Sequence, residues 1–412
     1  MNQLKINLFE AYYNARKNKR NTHNQLRFEI NYEQELFKLY EEIKNKTYKV
    51  GKSIAFIINK PVKREIFAAS FRDRVVHHLI FNYINPIVEP QFIPNSYSCR
   101  KEKGTLYGIK QASSYLKEVS DNYTKDAYIL KLDISGYFMN INKDLLWHKL
   151  KKMIPKSKFN QSIKLTTNNK MEEDIDFDTL FFLLKEVIYN NPVLGCKIKG
   201  NLLDWDTLPT SKSLFKSKPN CGLPIGNLTS QLFSNVYLND LDHYIQKTLN
   251  LKYYGRYVDD FFIFTNNTPE LKSLLHHLQQ HIKINFGLQI HPKKIYLQHY
   301  TKGMAFLGAY IKPYRIYIGN RSKLQFKNKL SKITTYLQKN NVILQKTAHH
   351  MVSVTNSYLG LLSHYNTYNL RYKLLFSKPP CLLYKMGYFN SNIKKIILYK
   401  NLKKQHNKYL LR

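Results

Sequence analysis

From residue 271 to the C-terminus the chain carries no Asp or Glu, while 25 Lys and Arg fall within those 142 residues. A stretch of that kind repels itself in solution and sits best against a polyanion. The whole chain shares the bias, with 65 Lys and Arg against 28 Asp and Glu and a net charge of +37. Nucleic acid is the commonest partner for such an excess. The competing explanation is compositional drift toward Lys and Asn, both abundant here. The acid-free third also excludes chemistry. Two-metal nuclease and ribonuclease H sites need several carboxylates, so no such domain lies beyond residue 270 and any carboxylate chemistry is upstream.

The remaining composition is that of a packed protein. At 412 residues, with 43% hydrophobic and 14% aromatic residues, the chain has material for two to four subdomains. No run approaches the ~18 apolar residues of a membrane span, and the first twenty residues lack the apolar core of a signal peptide. Cys99, Cys196, Cys221 and Cys381 are far apart and form no CxxC pair, so neither a disulfide framework nor a zinc ribbon is expected. A protein of a reducing cytoplasm, without a membrane partner, is the expectation.

Periodicity supplies the coarse layout. Residues 6–20 and 33–46 read as amphipathic helices, the second from Tyr32, Leu36, Leu39, Tyr40 and Ile43 at helical spacing. Residues 53–58 read as a strand and 70–88 as a helix ended by Pro90. Two β-type runs follow, 127–133 and 253–264, the second a hairpin with Asp259 and Asp260 at its turn. Helices are predicted over 180–190 and 226–248, and a final strand over 304–311. Together these predict an α+β fold, an antiparallel sheet backed by helices of the ferredoxin-like kind. From about residue 321 the pattern is helical, as a small separate module.

Asp133 closes one β run, and Asp259-Asp260 occupy a turn 126 residues later. Nucleotidyl transfer needs an activated 3′-hydroxyl and a neutralised phosphate, and two Mg²⁺ ions about 3.5–4 Å apart do both. Mg²⁺ takes hard oxygen ligands, so carboxylates must converge from rigid strands. One acid at a strand end beside a pair on the adjacent hairpin turn supplies that. Alone, Asp259-Asp260 is also an ordinary polar turn.

The ordered series KREIFAASFRDRVVHHL (63–79), SYSCRKEKGT (96–105), LDISGYFMNI (132–141), GLPIGNLTSQ (222–231), YVDD (257–260), HPKKI (291–295) and FLGAYI (306–311) resembles the reverse-transcriptase family over nearly the full chain. The resemblance implies a right-hand polymerase with fingers, palm and thumb. Its parts would be an N-terminal helical extension over 1–48, fingers and ferredoxin-like palm over 49–318, a helical thumb over 319–376 and a basic tail over 377–412. It also implies roles residue by residue. Asp133, Asp259 and Asp260 fall on the metal-binding acids, and Ile134 on a backbone carbonyl ligand of the second ion. Phe138 falls on the aromatic gate against a ribose 2′-hydroxyl, although a core aromatic on the sheet would look the same. Lys63, Arg64 and Arg72 fall where the fingers bind the triphosphate, and Lys294 on the lysine that protonates pyrophosphate. Leu307 and Gly308 fall in the primer-gripping turn. Gly222, Gly226 and Asn227 sit where backbone approaches template and nucleotide.

One block departs from the common QGxxxSP form: Ile225 replaces its glutamine and Gln231 its proline. That form resembles reverse transcriptases of diversity-generating retroelements, as do Arg72–His78, Lys212–Phe215 and Asn356–Gly360. Phage-defence reverse transcriptases are close relatives that share such blocks. The implied activity is an error-prone RNA-directed DNA polymerase using two Mg²⁺ ions, with Mn²⁺ able to substitute. Its partners would be a dedicated RNA template, cDNA, dNTPs and a small basic accessory protein. The remote alternative, an inactive nucleic-acid-binding protein, has no need of three intact acids. His77 and His78 are expected on a helix surface and not at a metal. The acidic run Glu172, Glu173, Asp174, Asp176 and Asp178 is expected to cap the next helix.

Overall fold

The computed structural model describes residues 2–17, 22–59, 62–167, 174–340, 342–377 and 381–399. The chain divides into two compact units, residues 1–108 with 130–297 and residues 109–129 with 298–412.

The first unit opens with helices α1 (Gln3–Arg16), α2 (His23–Glu29) and α3 (Tyr32–Lys44). Leu36, Leu39, Tyr40 and Ile43 give α3 its buried stripe, as their spacing predicts. Strands β1 (Ile54–Ile58) and β2 (Arg64–Ala68) pair antiparallel from Ile54↔Ala68 to Ile58↔Arg64. Helix α4 (Phe71–Val88) then starts at Ser70, whose hydroxyl accepts from the Asp73 N–H at 3.1 Å, and runs on through Pro86. Asp73 is itself buried, taking bonds from the Tyr48 hydroxyl at 2.8 Å and the Gly51 N–H at 3.1 Å.

Further along come α5 (Thr105–Val119), β3 (Tyr128–Asp133), α6 (Tyr137–Asn140), α7 (Lys143–Met153), α8 (Lys156–Thr167), α9 (Phe177–Tyr189) and the short β4 (Lys197–Ile198). They are followed by α10 (Leu228–His243), β5 (Tyr254–Tyr257), β6 (Asp260–Thr265), α11 (Thr268–Phe286) and β7 (Tyr296–His299). The main sheet has the order β5-β6-β3-β7. Counted along the chain its strands lie fourth, first, third, second, with helices between first and second and between third and fourth. That is the ferredoxin-like arrangement.

His77 departs from its expected surface position and is 3% exposed. Helices α1, α8, α9 and α10 all pack on α4, so that face meets protein where a helix surface would meet water. Asp176 does cap α9, accepting from the Thr179 N–H, whereas Asp174 reaches Asn7 and Tyr83. Glu172 and Glu173 lie outside the described residues.

In the second unit β8 (Met304–Phe306), β9 (Ala309–Lys312) and β10 (Arg315–Ile318) form an antiparallel sheet in the order β10-β9-β8. The expected single strand over 304–311 is therefore two strands. Leu307 (φ 49°) and Gly308 (φ 84°) break it, because positive φ cannot continue a strand. The last strand of the main sheet is β7, a four-residue run too short to show in the sequence pattern.

Helices α12 (Asn320–Lys339), α13 (Gln345–Ser363) and α14 (Tyr368–Phe376) carry the helical module. Phe326, Leu330, Ile333 and Leu337 of α12 face Ala348, Met351, Val352, Leu359 and Leu362 of α13 in one core. The expected tail joins that core: Leu383, Met386, Ile393, Ile396 and Leu398 are buried in it, around strands β11 (Gly387–Phe389) and β12 (Ile396–Leu398). The Asn356 amide fixes this hairpin by donating to the Ile396 carbonyl at 3.0 Å and accepting from its N–H at 2.8 Å. Burial of five apolar residues outweighs the basic character that made the segment read as a tail. No described helix is long and apolar enough to cross a membrane.

Candidate active site

Sheet order brings the acids together. β3 lies beside β6, so the C-terminal end of the first strand meets the turn that opens the third. The Ile134 N–H donates to the Asp259 carbonyl at 3.1 Å. On the other side the Ser135 N–H donates to Gln289 O, and the His291 N–H to Asp133 O, both at 2.8 Å. Asp133-Ile134 is thus stitched between the YVDD turn and the HPKK segment. That segment delivers Lys294, whose Nζ lies 2.7 and 2.8 Å from the two Asp133 oxygens. Lys131 Nζ lies 2.6 Å from Asp260 Oδ1.

The electrostatics are those of crowded acids. Burial, and next the charge of Asp133, push the Asp259 carboxyl up to about 6. Asp260 is also raised, by burial first, with Lys131 opposing and Asp133 adding to it. Two like charges in a dry site resist joint ionisation until a cation joins them. Two lysines supply part of that charge now, and no set of three described acids, histidines or cysteines is closed into a ligand shell. Chemically the donor set, all carboxylate oxygen, fits Mg²⁺.

The turn between β5 and β6 is two residues, Val258 and Asp259, with Tyr257 paired to Asp260. Val258 has φ 59°, a region that a β-branched residue adopts only under strain. Arg256 holds it there. Its Nη1 donates to the Val258 carbonyl at 3.0 Å, while Nε and Nη2 grip Asp242 of α10 at 2.7 and 2.6 Å. Both side chains are fully buried, and the Tyr254 hydroxyl completes Asp242 at 2.6 Å. Burial works against the guanidinium charge, but Asp242 outweighs it and holds the group above its ordinary range. Sequence reasoning passed over this pair. The only local hint was an arginine inside a β run, where a charge must have a partner.

Phe138 lies on α6, just after Gly136 (φ 54°), where a Cβ would come 2.6 Å from the Ser211 carbonyl. Its carbonyl accepts from the Leu223 N–H at 2.8 Å. Phe138 and Ile225 pack on the same cluster of Ala55, Phe67, Met139 and Leu214. Ile225 O accepts from the Phe67 N–H at 3.2 Å, and a Cβ on Gly226 (φ 126°) would press Ile66 Cγ2 at 3.2 Å. The 222–231 block is therefore laid against β2. Glu65 of β2 is buried and takes bonds from Trp205 Nε1 and Ser213 Oγ at 2.7 Å and from the Leu214 N–H at 2.5 Å. That bracket fixes the loop bearing Ser211.

The three cations expected to meet a triphosphate are placed differently from one another. Arg64 is near the turn: its charge opposes the rise that burial and Cys99 impose on the Tyr257 hydroxyl. Lys63 bonds the Thr207 hydroxyl. Arg72 is engaged with the N-terminal helices, ion-paired to Glu42, bonded to Lys49 O at 3.2 Å and stacked 4.8 Å over Tyr48. A triphosphate contact by Arg72 would require that pair to open. Leu307 and Gly308 form the β8–β9 turn of the second unit, where Gly308 O accepts from the Gly319 N–H at 2.8 Å.

Protein YkfC of Escherichia coli (strain K12) is 21% identical over 277 residues, 60% of this chain and 62% of that protein. The telomerase of Candida albicans, solved with a fragment of telomeric RNA, aligns at a TM-score of 0.45 and 13% identity, over 80% of this chain and 60% of that one. Apo telomerase of Candida tropicalis aligns at 0.45 and 11%, over 79% and 60%. The chain thus spans about three-fifths of the length of these relatives. The family model for reverse transcriptase (RNA-dependent DNA polymerase) matches residues 58–311, more than half of the 412, and the chain belongs to that family.

Proposed function

We propose that the chain is an RNA-directed DNA polymerase that extends a primer on an RNA template. The observation that carries this reading is the meeting of Asp133, at the end of β3, with Asp259 and Asp260 at the opening of β6. Two Mg²⁺ ions, or Mn²⁺ in their place, would be held by the three carboxylates and the Ile134 carbonyl, and would activate the 3′-hydroxyl and neutralise the phosphate. Lys294 Nζ, half-exposed beside Asp133, would give its proton to departing pyrophosphate. Lys63 and Arg64 would offset triphosphate charge, and Arg72 would join them once released from Glu42. Leu307 and Gly308 would hold the primer. The partners are an RNA template, cDNA and dNTPs, with a small basic accessory protein as a further candidate. The test is extension of a DNA primer on RNA with all four dNTPs; absence of template-complementary product from folded protein contradicts the reading.

Phe138 sits at the junction of the catalytic strand and the 222–231 block. As the sugar gate, Phe138→Ala raises ribonucleotide use relative to deoxyribonucleotide by about tenfold or more, since each ~1.4 kcal/mol is a factor of ten. An unchanged ratio of incorporation efficiencies makes Phe138 a core residue only.

The biological setting we favour is a mutagenic retroelement, and the support is Ile225. This side chain packs beside Phe138 and offers no hydrogen bond, so base selection there rests on shape. Ile225→Gln is expected to lower misincorporation, because a polar partner adds discrimination. Error spectra of cDNA from both proteins decide it. Equal spectra at equal extension rates favour the phage-defence setting, in which a dedicated noncoding RNA is copied.

A further inference from the structure

The strand that ends at Asp133 carries a lysine in its interior. β3 reads Tyr128-Ile129-Leu130-Lys131-Leu132-Asp133, with Ile129, Leu130 and Leu132 fully buried. It is also an inner strand, with β6 on one side and β7 on the other. A charge in such company needs a partner. Side chains alternate along a strand, so Lys131 shares the face of Asp133. There its Nζ lies 2.6 Å from Asp260 Oδ1, with 18% of the lysine side chain exposed. Lys131 has no second ion-pair or hydrogen-bond partner among the described residues.

The two lysines of the site hold their acids differently. Lys294 comes from the short turn Pro292–Lys294, is 48% exposed, and meets both oxygens of Asp133. A side chain so placed can swing into water and leave both oxygens to a cation. Lys131 is anchored in a central strand and takes one oxygen alone. Asp260 Oδ1 is buried against it, and Oδ2 has no partner among the described residues. An ion reaching Asp260 therefore meets one oxygen of a carboxylate whose charge is already shared. Mg²⁺ demands a near-octahedral shell, which one oxygen from each group fills well. The larger Ca²⁺ readily takes both oxygens of one carboxylate.

We propose that Lys131 sets the ion selectivity of the site: by holding Asp260 Oδ1 it confines Asp260 to one-oxygen ligation and so favours Mg²⁺ over Ca²⁺. Lys131 is a positioning residue, since it acts through Asp260. The proposal rests on the reading of Asp133, Asp259 and Asp260 as metal ligands, but its test needs no catalysis.

The experiment uses the full chain without nucleic acid. Mn²⁺ bound to the protein is followed by its EPR signal, and Mg²⁺ or Ca²⁺ is titrated in to displace it. The two titrations give the preference for Ca²⁺ over Mg²⁺ as a ratio. For Lys131→Met we expect that ratio to rise about tenfold, because the freed oxygen adds a ligand that only the larger ion uses well. Lys131→Arg keeps a cation on Oδ1, and the ratio does not rise. In an Asp260→Asn background there is no second carboxylate oxygen to free, and Lys131→Met leaves the ratio unchanged. A ratio unmoved by Lys131→Met alone, equal tightening of both ions, or the same rise in the Asp260→Asn background overturns the proposal. If Lys131→Met does not fold, Lys131→Gln gives the same comparison. Wild-type protein that binds no Mn²⁺, or whose Mn²⁺ binding is untouched by Asp259→Ala, faults the metal site itself and overturns the proposal with it. Site-specific binding with an unmoved ratio overturns the proposal alone.

Discussion

Asp259→Ala is expected to reduce primer extension by about 10³-fold or more while RNA affinity stays within about twofold. The rate loss follows from removing one proposed ligand of ions that would supply several kcal/mol of transition-state stabilisation, at ~1.4 kcal/mol per tenfold. Affinity is spared because phosphate contacts elsewhere dominate it. Asp259 is the cleanest of the three positions to test. Lys294 pairs with Asp133 and Lys131 with Asp260, so removing either acid strands a lysine. Burial, and then the charges of Asp133 and Asp260, raise the Asp259 carboxyl. Its loss should leave the melting temperature equal or slightly higher, the signature of a site strained for function. A melting scan and an extension assay on one preparation check both halves.

Arg256 has the next largest expected effect, and it acts first on stability. Arg256→Met leaves Asp242 buried and unpaired, at a cost of about 3–5 kcal/mol. That is a large part of the stability of an ordinary domain. The double substitution Arg256→Met with Asp242→Leu removes both charges and should recover most of the loss, because a buried pair is often replaceable by apolar residues. Activity should not return with it. Neither side chain then holds the Val258 carbonyl, and the strained turn that aims Asp259 is free to relax. Denaturant melts give the first comparison and extension rates the second. A double variant both stable and fully active would show that Arg256 merely fills space.

What the sequence made legible is what local pattern encodes. The α3 stripe, β3, the β5–β6 hairpin and its acids stand in windows of a dozen residues, with periods of 3.6 or 2. Sheet order was legible only as a class, yet that order is what sets Asp133 beside Asp259. Partners across long separations were not legible. Arg256 finds Asp242 by packing of α10 on the sheet, and Glu65 gathers Trp205, Ser213 and Leu214 from about 140 residues away. Nothing in a window around Glu65 announces three donors. His77 was misplaced for a related reason, since α4 has neighbours on several sides and an isolated helix pattern assumes one. The C-terminal hairpin was hidden by lysines that flank its buried Ile396 and Leu398. Charge density described the surface of that segment and concealed its core.

The central claim, that Asp133, Asp259 and Asp260 run metal-dependent DNA synthesis on RNA, is tested most directly by a chelation and rescue assay. Wild-type protein is given a DNA primer on an RNA template with dNTPs, first with Mg²⁺, then with excess EDTA, then with Mg²⁺ restored. The account predicts template-complementary extension that stops on chelation and resumes on rescue, with Asp259→Ala silent at every step. Extension that persists in EDTA, or that Asp259→Ala supports at the wild-type rate, would contradict it.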